Sequence, residues 1–166
     1  MRLKKHLSLV LCLMVGISCI AIIIGLNLET RAPEVRYTSL QGKLIDSTQF
    51  SNKVLLLNFW ATSCPTCVAE MPGLIDTYHR YRAKGFEIVA IAMHYDPPNY
   101  VAAFAKQQRL PFIVALDVDG HIAKRFGNIN VTPTTFIIDK QGRIVQRYLG
   151  HLNVKDLHAL IEQLLT

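Results

Sequence analysis

A chain of 166 residues that is 51% hydrophobic has enough apolar material for one packed domain plus an extension, and it contains no internal repeat or low-complexity segment. The formal charge is +6, but Arg2, Lys4 and Lys5 supply half of it ahead of the first apolar run, which leaves no basic cluster with interleaved aromatics to serve a nucleic acid. Cys12 and Cys19 lie inside that apolar run, so only Cys64 and Cys67 remain outside it, too few for a disulfide scaffold.

Residues 1–6 form a basic tail, and the stretch after it is uncharged and largely apolar to residue 26. A transmembrane helix needs about 20 such residues. A secretory signal has an apolar region of roughly 7–15 followed by small residues at a cleavage site. This run is longer, and no Ala-x-Ala follows it. Ser18-Cys19 faintly resembles a lipoprotein cleavage site, but Gly16 stands where a large aliphatic residue is usual. The expectation is an uncleaved signal-anchor over 7–28, with the basic tail in the cytoplasm and the rest of the chain outside. Cys12 and Cys19 are then small apolar residues in lipid. Residues 29–34 read as a polar tether, and 35–166 as the folded domain.

Within the domain, 35–37 and 43–45 predict a small hairpin about Gln41-Gly42, and 46–52 a turn or short helix. The run 54–60 has the length and apolar character of a buried strand. A helix is expected over 65–83, kinked at Pro72 and ended by Gly85. Residues 86–93 predict a second buried strand, 99–108 a helix with Val101, Phe104 and Ala105 on one face, and 112–116 a short strand. A turn at 117–120 and a short helix at 122–126 follow. Strands 134–138 and 144–149 are joined by the turn Asp139-Lys140-Gln141-Gly142. Residues 154–165 close the chain as an amphipathic helix with Leu157, Leu160, Ile161 and Leu164 apolar. This order argues for an α/β fold, a mixed central sheet with helices on both faces.

The chemistry concentrates in Cys64-Pro65-Thr66-Cys67. Pro65 suits the first helical turn, where a missing N–H costs nothing. Cys64 then stands at a helix N-terminus, where unpaired N–H groups and the macrodipole favour an anion. In such places a thiol pKa falls from about 8.5 to roughly 3.5–7.5. Cys67, one turn in, is the expected resolving thiol. A structural disulfide or half of a zinc site are the plainer readings of a CxxC. Zinc wants two further ligands at suitable spacing, and His79, His94, His121, His151 and His158 are scattered. A c-type haem needs His where Val68 stands. A CxxC that directly follows a buried strand and opens a helix favours thiol–disulfide exchange, with no cofactor required.

Asn58-Phe59-Trp60-Ala61-Thr62-Ser63-Cys64-Pro65-Thr66-Cys67, Glu70-Met71-Pro72, and Val131-Thr132-Pro133-Thr134-Thr135-Phe136 through Gly142 together resemble thioredoxin-like proteins, more narrowly the membrane-anchored TlpA/ResA-type thiol-disulfide oxidoreductases. The resemblance covers about residues 33–166. It implies a thioredoxin fold and a redox-active Cys64–Cys67 disulfide, with Cys64 as nucleophile. It implies a cis-proline at Pro133 and a substrate strand bound along Thr132. Pro65 and Thr66 would line the same substrate surface, and Trp60 either flanks the site or is a core aromatic. Glu70 matches the family's acidic residue, which would move protons for Cys67 if burial raised its pKa; from the residues alone it is equally a carboxylate favoured in a helix's N-terminal half. Two positions depart from the pattern. Asn58 stands where general thioredoxins carry a titrating Asp, and Ser63 where a Trp is frequent.

The resemblance further implies disulfide-containing exported proteins as substrates, apocytochrome c among them, and a membrane thiol transporter as electron donor; with the anchor, the expectation is a monomer at the inner membrane. Two other functions compete. A thioredoxin-fold copper chaperone uses CxxxC and a distant His, whereas the spacing here is CxxC. A peroxiredoxin places Pro and Thr where Leu57 and Ala61 stand.

Overall fold

The computed structural model describes residues 31–166. The basic tail, the anchor, the first two residues of the tether, Cys12 and Cys19 lie outside the described residues. Among the described residues no helix is long and apolar enough to cross a membrane.

The elements run β1 (Arg36–Ser39), β2 (Leu44–Asp46), a 3-10 turn (Ser47–Phe50), β3 (Val54–Trp60), α1 (Pro65–Tyr81), β4 (Phe86–Ala92), α2 (Pro98–Gln107), β5 (Ile113–Leu116), α3 (His121–Arg125), β6 (Thr134–Ile138), β7 (Ile144–Leu149) and α4 (Val154–Leu165). They build one sheet in the order β2-β1-β5-β4-β3-β6-β7. β3, β4 and β5 are mutually parallel, and the strands outside them pair antiparallel. The sheet is therefore mixed. α2 opens one residue before the expected start because Pro98 fits the first helical turn. α1 continues through Pro72 and gives way to a 3-10 turn, Arg82–Lys84, before Gly85 turns the chain at φ +93°.

All seven residues of β3 are buried, as a strand covered on both faces requires. Alternation divides them between two cores. Val54, Leu56 and Trp60 join Met71 and Leu74 of α1, Val101 of α2, and Leu157 and Ile161 of α4. Leu55, Leu57 and Phe59 face Phe50, Phe126 and Phe136 on the opposite side. One face of the sheet thus carries three helices. The other is covered by the short α3 and the 3-10 turn. Each large side chain so enclosed stabilises the fold by roughly 1.5–3 kcal/mol. The polar exception in β3 is Asn58, whose Nδ2 donates to Thr135 Oγ1 of β6 at 2.9 Å.

Register fixes where chemistry can happen. Phe59 pairs with Thr134 and Trp60 with Ala92. The residue before β6 is therefore level with the end of β3, which leads within four residues to Cys64. The loops after β4 and β5 leave from the same carboxyl edge, where open α/β sheets place their sites.

Candidate active site

Cys64 is the N-cap of α1, and Pro65 is the first residue of the helix. Its backbone is extended (φ −96°, ψ 107°), and its Sγ accepts the Cys67 N–H at 3.2 Å. Cys64 and Cys67 are joined as a disulfide with Cα atoms 5.2 Å apart. The two sulfurs differ in access. Cys67 is 2% exposed and belongs to the core, while Cys64 is half-buried, with Ser63, Pro65 and Thr66 exposed around it. An incoming disulfide meets Cys64 first.

The Thr132–Pro133 peptide bond is cis. Pro133 is buried, and its carbonyl accepts the Gly150 N–H at 2.9 Å, which ties the segment to the end of β7. Thr132 is half-buried, and its Oγ1 lies 3.4 Å from the Tyr95 hydroxyl. Val131 (53% exposed) and Tyr95 (51%) leave an apolar margin at this edge.

Glu70 lies one helical turn beyond Cys67, with a side chain only 8% exposed. Its Oε1 accepts the Leu152 N–H at 2.6 Å and lies 3.2 Å from His151 Nδ1. Its Oε2 is buried without a partner among the described residues. Burial pushes the Glu70 carboxyl above the usual carboxylate range, against the opposing pull of the Leu152 N–H and of His151.

Trp60 requires a correction. It is not a substrate-facing residue: it is 0% exposed, and its ring packs on Phe104 with centroids 5.3 Å apart. Parity along β3 puts it on the face of Val54 and Leu56, and both faces of the strand are covered, so closeness to the CxxC in sequence does not bring it to the surface.

Two contributors escape a reading of the sequence. Asp96, in the loop after β4, is 5% exposed and accepts both the Thr62 N–H and the Thr62 hydroxyl at 2.6 Å, which holds the loop that leads into Cys64. The signal was an acid at the carboxyl end of a parallel strand, masked by the two prolines after it. His151 reaches Glu70 from the loop before α4, and nothing in its spacing announces this. His121, by contrast, is held by Asp119 at 2.7 Å.

A CxxC disulfide closed over the first turn of a helix, at the end of a central parallel strand and level with the proline that starts the neighbouring strand, defines a thioredoxin-like thiol-disulfide oxidoreductase. The chain matches the Redoxin family over residues 28–161 and belongs to that family, in its TlpA/ResA-type branch. It is 36% identical to the thiol-disulfide oxidoreductase ResA of Bacillus thuringiensis over 139 residues, 84% of this chain and 79% of the relative. Among solved structures it is similar to a protein from Neisseria meningitidis described as a thioredoxin (TM-score 0.75, 37% identity, 80% of this chain and 87% of that one). It is also similar to a thiol:disulfide interchange protein of Chlorobium tepidum (TM-score 0.76, 26% identity, 83% and 97%).

Proposed function

We propose that this chain is a membrane-anchored reductase of disulfides in exported proteins. The observation that carries the mechanism is the asymmetry of the pair: a reachable Cys64 whose sulfur caps a helix, and an enclosed Cys67 one turn behind it. Once reduced, Cys64 Sγ is held as a thiolate by the helix amides and attacks a substrate sulfur. The substrate's other sulfur leaves, and a mixed disulfide forms. Cys67 Sγ then attacks Cys64 Sγ, releases the second substrate sulfur as a thiol, and regenerates the Cys64–Cys67 disulfide. Glu70 takes the Cys67 proton in this second step. Thr132 and Pro133 hold the substrate segment as an added strand, with Pro65 and Thr66 beside it.

The largely apolar stretch 7–28 supports an uncleaved anchor, and Arg2, Lys4 and Lys5 support an extracytoplasmic domain. On this reading a membrane thiol carrier restores the reduced pair, the working form is a monomer, and apocytochrome c is a candidate substrate. The full chain in detergent should reduce insulin disulfides, and Cys64→Ser should lower the rate to that of buffer. Cys67→Ala should accumulate a mixed disulfide in cells, whose attached protein identifies the substrate. Turnover by Cys64→Ser, or no adduct on Cys67→Ala, would overturn the assignment of roles.

A further inference from the structure

The Glu70 carboxyl is enclosed, yet a carboxylate that takes a proton at every turnover must also lose it. Leu74 and Leu152, both 2% exposed, and Ala69 and Gly73 line the small cavity of about 120 Å³ beside it. The Leu152 N–H that meets Oε1 donates and cannot accept. Among the described residues His151 is the titratable side chain that reaches Glu70, and it bridges the two environments: its Nδ1 stands 3.2 Å from Oε1 while its side chain is 80% exposed. An imidazole is suited to this, because one ring nitrogen can receive a proton while the other releases one.

We propose that His151 is the proton relay between the buried Glu70 carboxyl and solvent during disulfide exchange. The inference rests on the reading in which Glu70 takes the Cys67 proton. As Cys67 Sγ attacks Cys64 Sγ, the Cys67 proton moves to the Glu70 carboxylate, the bond from Cys64 to the substrate sulfur breaks, and the substrate leaves as a thiolate that draws a proton from water. The two cysteines are oxidised to the disulfide, and the substrate disulfide is reduced by the same two electrons. Glu70 then passes its proton to His151 Nδ1, and His151 loses the proton on Nε2 to water. When the pair is reduced again, the steps reverse. A pair placed only for stability would contribute little, because one partner is so exposed.

The test uses the reduced full chain and an aromatic disulfide such as dithiobis(nitrobenzoate), which releases one chromophore when Cys64 attacks and a second when Cys67 resolves the adduct. His151→Ala should leave the first phase unchanged and slow the second by roughly ten- to hundred-fold. Added imidazole, entering the space the side chain vacates, should restore the second phase. Glu70→Gln should slow the second phase and gain nothing from imidazole. A wild-type second phase in His151→Ala beside a slow Glu70→Gln overturns the relay and leaves the Glu70 role standing. Wild-type second phases in both variants overturn the Glu70 role and the relay with it. A slow His151→Ala that imidazole does not restore makes His151 a structural residue and also overturns the relay.

Discussion

Two helices start at the same edge of the sheet after central parallel strands, and they satisfy their first amides in opposite ways. At α3, Asp117 (1% exposed) gives one oxygen to the Ile122 N–H at 3.0 Å and the other to the Ala123 N–H at 2.8 Å. Gly120, at φ +72°, makes the turn that brings them together. At α1 the cap is a sulfur, a weak acceptor, 3.2 Å from the Cys67 N–H, and the first turn holds no acidic residue. One helix start is neutralised by a fixed charge. The other is left short of negative charge until a thiol there ionises. The same local motif serves structure when its acceptor is permanent and chemistry when its acceptor must be made.

A decisive substitution gives α1 the α3 solution. Cys64→Asp should lose all disulfide reduction. By supplying a permanent cap, it should also make the reduced chain more stable than Cys64→Ala by about 0.5–2 kcal/mol, read from urea unfolding. Equal stabilities would mean that the amides at α1 are already satisfied and that the helix start exerts no pull on an anion there. The reverse exchange comes next. Asp117→Ala strands two backbone N–H groups and should cost about 2–4 kcal/mol. The pH midpoint of Cys64 alkylation should not move, and a midpoint that shifted would show the two helix starts to be coupled.

How much of this was legible depended on how far apart in sequence the cooperating residues lie. β3 is an unbroken apolar run, and Cys64 follows it directly with Pro65 behind, so strand, cap and helix could be read from one stretch. Pro133 was placed by resemblance, and its level with the CxxC came only from the Phe59–Thr134 register. Trp60 was misplaced because nearness to the cysteines outweighed its place in a strand covered on both faces. Asp96 meets Thr62 from 34 residues away, and the His151 loop meets Glu70 across a gap of similar kind, 82 residues between Glu70 and Leu152. Neither has a local pattern, since a carboxylate's partner is set by how the sheet folds.

Asp96 plays a third part, at the loop before α1. It is a buried carboxylate like Asp117, but its two bonds hold the approach to the reactive helix and not the helix itself. Asp96→Ala should cost about 1–3 kcal/mol for the freed Thr62 groups. It should also slow Cys64 attack roughly ten-fold, because the sulfur's approach is less well set. Asp96→Asn keeps an acceptor and should fall between. A stability loss with an unchanged attack rate would confine Asp96 to the fold.

Asp117 and Glu70 are two enclosed carboxylates with different partners, and charge affects them differently. Both Asp117 oxygens accept amides, whereas among the described residues Glu70 has one oxygen served and one bare. Burial raises the Glu70 pKa in the folded chain, so the folded state keeps this proton to a higher pH than the unfolded state does. The stability that follows is fully present below the unfolded value of about 4.3 and is lost as pH rises through the folded value. At neutral pH the ionised group therefore opposes folding. Glu70→Gln retains an oxygen for the Leu152 N–H and removes the charge. It should raise the Tm at neutral pH, with a gain that shrinks to nothing as pH approaches about 4. Asp117→Asn, tested beside it, should lower the Tm at neutral pH, because its amide group cannot accept at both N–H donors. A Glu70→Gln gain that persisted in acid would trace to packing and not to charge, and the contrast between the two carboxylates would fail.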